Sequence, residues 1–325
     1  MPKKTDVVVH LTEVTPTTTI ASARIAKFVK HRLKVDMLVD NDISAEIVAD
    51  PKMVKDVGTV YLVNGPPAFC TFRDTLAEIV RRCDKLVWIQ NDYTIYPPSQ
   101  VNKVCRERGW VDRKGHIDPP VRWTTIPARM RKLTDWYINW NALTYDPRRV
   151  RYDKKINKLF YYGAFREFRV GEFHQYFDMI QYRLVISGSG RAEKRFREHW
   201  PIAEYVPPCD DIIAECTKYR YGLYIHDKSS VKTFCSMANR FYEMLSAKMC
   251  ILVADNAVDT FEQAGYHVPS AFVVEDGYEI KKRFRWPKNI WRRHLDWQQR
   301  KWGAQAKKDH DELNKQLHEA SRGRK

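Results

Sequence analysis

A chain of 325 residues, 44% hydrophobic and 30% charged, is long enough for about two globular domains with proper cores and is not disordered. Its 56 Lys+Arg against 40 Asp+Glu leave a net charge of +16, which calls for a polyanionic partner. The apolar runs are as short as CILVA at 250–254, which excludes a membrane-spanning helix of about 20 such residues.

The N-terminal stretch MPKKTDVVVHL lacks the long apolar core and small-residue cleavage site of a secretory leader. Cysteines stand at 70, 83, 105, 209, 216, 235 and 250, without CxxC spacing. Neither a zinc module nor a disulfide framework is expected, and free thiols fit a reducing, cytoplasmic compartment.

Strands and helices alternate along the chain. DVVVHL (6–11) reads as a buried strand. Residues 20–33 carry helical apolar spacing at Ile20, Ile25, Phe28, Val29 and Leu33. VDMLVD (35–40), GTVYLVN (58–64) and KLVWIQND (85–92) are strand-like, with an amphipathic helix over 71–83. Residues 93–150 are less regular and Pro-interrupted. A second cycle begins near 151: strand 158–162, strand 182–188 into a Gly/Ser turn, a helix over AEKRFREHW, a helix over 210–218 and strand 221–227. It continues with helix 236–248, strand 249–255, the short AFVVED (271–276), and a charged helical tail. Alternation of this kind specifies parallel sheets covered on both faces. The expected fold is α/β, with two facing Rossmann-like domains, a cleft between them and a basic helical tail. The divisions expected are 1–150, 151–280, and a tail 281–325 packing back on the first domain.

The positive charge is not spread evenly. Residues 103–132 hold Arg113, Lys114, Arg129 and Arg131 with Trp110 and Trp123 among them. Residues 281–301 read KKRFRWPKNIWRRHLDWQQRK. Basic residues give phosphate contacts and aromatics give stacking partners, so nucleic acid is favoured over a merely solvated face.

Ligands of open α/β sheets sit beyond the carboxyl ends of strands. Gly163 follows strand 158–162, and Arg166 and Arg169 follow it. A glycine turn with two guanidiniums suits a phosphate, although a surface turn with solvated arginines reads the same way. Ser187-Gly188-Ser189-Gly190 is a weak phosphate or base cradle and not a Walker A motif. Arg240 and Glu243 sit three apart near a helix start, suited to a phosphate and a ribose diol or to a simple intrahelical pair. Asp92 ends the strand at 85–90 and is a candidate general base or a turn aspartate.

In order, LVWIQNDYTIYPPSQ (86–100), KLFYYGAFREFR (158–169), VISGSGRAEKRF (185–196), and YGLYIHDK (221–228) with NRFYEMLSAKMCILV (239–253) resemble segments of the GT-B glycosyltransferases. Within them the chain is most similar to the DNA β-glucosyltransferases of T-even phages. The resemblance covers most of residues 6–255, and Arg-x-x-Glu at 240–243 is its most specific part. It implies a UDP-sugar donor, with Arg166, Arg169 and Arg240 on the diphosphate and Glu243 on the ribose. Gly163 lies in the same donor segment. Gly188, Val206 and Pro207 would border the uracil, and the loop containing Thr17 and Thr18 would line the sugar. Asp92 would be the base that deprotonates a hydroxymethyl group on a modified pyrimidine, most readily 5-hydroxymethylcytosine. Attack with inversion on the anomeric carbon would then expel UDP.

The implied acceptor is double-stranded DNA with the nucleotide flipped out, held by the basic stretches with Arg113, Lys114, Arg129 and Arg131. No permanent cofactor, no metal-ligand motif and no membrane are expected, although a divalent ion could still stimulate transfer. The implied protein is a monomer in the cytoplasm, that of a host cell where a phage encodes it. Ala164 replaces a donor-binding serine of the family, and Ile20 stands where the family has an acidic residue near the sugar. The UDP half of the pattern is thus kept and the sugar half altered, which leaves the identity of the sugar open. Transfer to another acceptor, or a DNA-binding relative without catalysis, remain the alternatives. A Rossmann dehydrogenase is disfavoured because residues 11–20 contain no glycine.

Overall fold

The computed structural model describes residues 4–10, 19–39, 57–63, 73–90, 99–111, 113, 121–124, 136–188, 190–209, 211–225 and 237–322. The chain divides into two compact units, Met1–Leu143 with Glu312–Lys325, and Thr144–Asp311.

In the first unit, strands β1 (Thr5–His10), β2 (Asp36–Val39), β3 (Val57–Val63), β4 (Lys85–Gln90), β5 (Val121–Thr124) and β6 (Trp136–Tyr137) form one sheet among the described residues. Its order is β2-β1-β3-β4-β5-β6, and every pairing is parallel. Helices α1 (Thr19–Leu33), α2 (Arg73–Arg82) and α3 (Ser99–Glu107) are the crossovers. The near-continuous apolar strands are what a sheet covered on both faces requires. Val8, Val9, Val60, Leu62, Leu86 and Ile89 are buried, with Leu76, Ile79 and Val80 of α2 and Val101 and Val104 of α3. Helix α3 and the strands β5 and β6 lie inside the stretch read from the sequence as irregular.

The second unit repeats the plan. Strands β7 (Ile156–Tyr162), β8 (Leu184–Ser187), β9 (Glu204–Val206), β10 (Tyr219–Tyr224), β11 (Cys250–Ala254) and β12 (Val273–Val274) pair in the order β12-β11-β10-β7-β8-β9. All pairings are parallel. Counted from β7, this is the dinucleotide-binding order 3-2-1-4-5-6, whose switch point lies between β7 and β10. Helices α4 (Val170–Phe177), α5 (Gly190–His199), α6 (Ile212–Cys216), α7 (Asn239–Ser246), α8 (Val258–Gln263) and α9 (Gly277–Arg283) follow in order.

The last helix, α10 (Lys288–Ser321), begins in the second unit and ends among residues of the first. Trp291, Leu295, Gln298, Trp302, Ala306, Leu313 and Leu317 fall on one buried line along it. The Gln298 amide donates to Ile251 O at 2.8 Å and accepts from Ile251 N at 2.9 Å, tying α10 to β11. Asn139 N–H donates to Gln316 Oε1 at 3.1 Å within the first unit.

Candidate nucleotide-sugar site

The carboxyl edge of the second sheet gathers most of the residues singled out from the sequence. Register puts Val206 opposite Ser187 and Ser187 opposite Tyr162, in one row across β9, β8 and β7. Strand β7 then breaks at Gly163, whose φ is +145°. Only glycine takes that conformation cheaply, and a Cβ there would overlap the Nη2 of Arg240. The glycine therefore exists to let a guanidinium pass. From helix α7, Arg240 lies with its guanidinium carbon 4.7 Å from the Tyr161 ring centre and 5.4 Å from that of Tyr162. Its Nε is buried without a hydrogen-bond partner among the described residues.

Helix α7 has no side-chain cap of its own. Instead the Ala238 N–H donates to Tyr224 Oη at 3.1 Å, so the end of β10 caps the helix that carries Arg240. Burial pushes the Tyr224 hydroxyl up to about 12, against the Ala238 bond and the cations Arg240 and Arg169, which lower it. Both arginines thus act on one hydroxyl at the switch point. On the same loop, Arg166 is exposed and the Phe168 ring lies 6.0 Å from it and 5.8 Å from Arg169. A 3₁₀ turn, Glu167–Arg169, precedes α4, so Arg166 stands at the cap of the turn in extended backbone.

Glu243, on the same helix, is 7% exposed. Tyr162 Oη donates to its Oε2 at 2.9 Å and lies 3.3 Å from the Arg240 carbonyl. Burial, then Glu243, pushes the Tyr162 hydroxyl well above its ordinary value, so it remains a donor. Gly188 is buried at the start of the turn into α5, and Pro207 O lies 3.4 Å from Ser187 Oγ. Arg240 and Glu243 therefore both turn toward β7. The sequence reading missed the tyrosines beneath them. Their signal is the aromatic ending of β7 and β10, where tyrosine closes a buried strand next to a helix terminus.

Two readings of the basic stretches need correction. Trp123 was expected to stack on bases, but it is 1% exposed and packs against Tyr61 with ring centres 5.2 Å apart. Arg108 is a cap, donating to Val80 O at 3.0 Å and Cys83 O at 2.6 Å, with its guanidinium over Trp110. Likewise Phe284, Trp291 and Trp302 are buried by 96% or more and serve the core, while Trp286 and Trp297 are half-buried. The exposed half of the tail is cationic, with Lys288, Arg292, Arg293, Arg300 and Lys301. Arg113 is exposed. Asp92, Thr17, Thr18, Lys114, Arg129 and Arg131 lie outside the described residues. Among the described residues no cluster of three or more His, Cys, Asp or Glu is placed to hold a metal ion. No described helix is long and apolar enough to cross a membrane.

No family model and no curated protein sequence matches the chain. Solved structures do resemble it. A mutant of T4 phage BGT in complex with UDP-glucose superposes with a TM-score of 0.61 at 13% identity, over 98% of this chain and 97% of that one. The fold is that of the GT-B glycosyltransferases. An α-glucosyltransferase in complex with UDP and a mismatched 13-mer DNA gives a TM-score of 0.56 at 9% identity, over 96% and 95% of the two chains. Anabaena HepE in complex with UDP-glucose gives 0.54 at 8% identity, over 98% and 99%. The T4 protein is a β-glucosyltransferase, and one similar β-glucosyltransferase structure is described as a DNA modifying enzyme. The GT-B resemblance read from the residue pattern is thus matched by whole-chain geometry.

Proposed function

We propose that the protein is a glycosyltransferase that moves a sugar from a UDP-sugar to a hydroxymethylated pyrimidine in DNA. The observation that carries the donor half is the seating of Arg240 against Gly163 at the switch point of the second sheet. There Arg240, Arg169 and Arg166 hold the diphosphate, and Glu243 takes the ribose hydroxyls. Gly188, Val206 and Pro207 border the uracil. Charge that builds on the departing diphosphate is stabilised by guanidiniums already in place, the usual economy of a preorganised site.

The acceptor half rests on the net charge of +16 and on the DNA-bound neighbour. Asp92 removes the proton of the acceptor hydroxyl as its oxygen attacks the anomeric carbon. The bond to the UDP oxygen breaks, and the anomeric centre inverts. Arg113, Lys114, Arg129 and Arg131, with the exposed cations of α10, contact phosphates. The Thr17–Thr18 loop lines the sugar, and 5-hydroxymethylcytosine is the acceptor base. A second reading is transfer to an acceptor other than DNA: the likeness to HepE, described in complex with UDP-glucose, is equally complete along the chain and supports the donor without specifying the acceptor.

UDP release, measured over a panel of UDP-sugars with and without DNA carrying 5-hydroxymethylpyrimidines, separates these readings. Release that requires the modified DNA supports the proposal and names the sugar. Release from an acceptor mixture without DNA supports the second reading. Tight DNA binding with no UDP release under any condition overturns both.

A further inference from the structure

Glu243 is a buried carboxylate that must present a fixed face to be of use to a ribose. What fixes it is a side chain from another element. The Tyr162 hydroxyl has one proton, and the 2.9 Å contact to Glu243 Oε2 is shorter than the 3.3 Å contact to the Arg240 carbonyl. A bond to a carboxylate is the stronger of the two, so the proton goes to Glu243. Cys216 lies near the same hydroxyl. Burial holds the Cys216 thiol far above its ordinary value, so it stays an S–H. The ring of Tyr162 is stacked on Phe160 with centres 5.5 Å apart and lies beneath Arg240. The ring is held by its neighbours and the hydroxyl by its bond to Glu243.

We infer that Tyr162 is the positioning residue of the nucleotide site, orienting the Glu243 carboxylate toward the ribose diol while its ring seats Arg240. This rests on the reading of the site as one for a UDP-sugar. It makes Tyr162 a determinant of ribose recognition that never touches the reacting atoms.

The test is Tyr162→Phe, which keeps the ring and removes the hydroxyl. The Kd for UDP should weaken about tenfold, the size of one lost charge-assisted bond. The donor KM should rise by the same factor, with kcat within about twofold. The decisive probe is 2′,3′-dideoxy-UDP, which lacks the diol. The native protein and Tyr162→Phe should bind it equally, because Glu243 then has nothing to hold. A variant that loses the same factor for UDP and for the dideoxy nucleotide overturns the inference in favour of a merely structural tyrosine. A variant that binds UDP as well as the native protein also overturns it, and leaves the donor reading standing. A native protein that binds no UDP overturns the donor reading and this role with it. If Tyr162→Phe does not fold, the native protein still tests the inference: equal affinity for UDP and its dideoxy analogue overturns it.

Discussion

The two units build parallel sheets on related plans and fill them with different material. In the first, the buried strand residues are mostly aliphatic, Val7–Val9, Val60, Leu62, Leu86 and Ile89, with Tyr61, Trp88 and Trp123 among them. In the second, Tyr161, Phe173, Phe177, Phe196 and Trp200 pack ring on ring, and a further group joins Tyr224, Phe241, Phe261, Tyr266 and Trp302. Many of these rings carry hydroxyls that end on a chosen partner. Tyr176 donates to Asp255 at 2.8 Å, Tyr221 to the Arg283 carbonyl at 2.8 Å, and Tyr242 to Asp309 at 2.9 Å. An aliphatic core specifies volume, whereas a tyrosine core specifies volume and direction. Direction is what the proposed phosphate and ribose site would need from its floor, and the second unit has it at Tyr162 and Tyr224.

The sharpest way to separate the halves is functional. Asp92→Ala should lower turnover by about 10²–10⁴-fold, the usual worth of a general base, while the UDP Kd stays within twofold. Normal turnover in that variant would remove Asp92 from the mechanism. Next, Leu62→Ala in the aliphatic sheet should cost about 3 kcal/mol in denaturant unfolding, because a close-packed site is left with a void. A loss under 1 kcal/mol would mean that this core is looser than its burial implies.

Lys155 probes the second unit. The residue is 4% exposed, and its Nζ lies 2.8 Å from Thr217 O, 3.0 Å from Tyr219 O and 3.1 Å from Ala247 O. Burial draws its pKa from an ordinary 10.5 down to about 7, with Cys216 opposing the fall and Lys248 adding to it. Between about 7 and 10.5 the unfolded chain keeps the proton and the folded one sheds it. Stability from this group therefore rises with pH across that window and is lost as pH falls toward 7. Lys155→Met should cost about 2 kcal/mol in alkaline solution, with the gap narrowing on acidification. A gap that widens instead would reverse the assignment. The smallest effect belongs to the hydroxyls alone. Tyr242→Phe should lose about 1.5 kcal/mol with the ring still packed, the cost of one bond to a carboxylate. Calorimetry that finds no change would reduce the tyrosine core to ordinary packing.

Much of this architecture is legible from residue order. KLFYY, YRLVIS, YGLY and MCILVA read as buried strands because their side chains face cores on both sides of the sheet. Strands β5 and β6 do not read so, since VRWT and WY are short, flanked by prolines or charges, and held by pairing with a neighbour that no local pattern records. The site divides in the same way. Gly163, Arg240 and Glu243 announce themselves by type and spacing, but Tyr162 looks like any strand aromatic until α7 is laid across it. The basic, aromatic run at 281–301 was legible as charge and misleading as chemistry. Spacing of Trp291, Leu295, Gln298 and Trp302 at the helical period assigns these residues to the core and leaves the exposed cations on the other side of the helix.

Helix α10 has one more consequence, and it concerns time. Leu313, Leu317 and Ala320 are buried, and Gln316 accepts from Asn139. These residues complete the first unit, yet the ribosome makes them only after every residue of the second. The first unit thus waits with an uncovered apolar patch while Thr144–Asp311 is synthesised and can fold without it. Closure of the first unit therefore waits until Thr144–Asp311 has been made, and a chain cut short before residue 312 would carry a complete second unit and an incomplete first one.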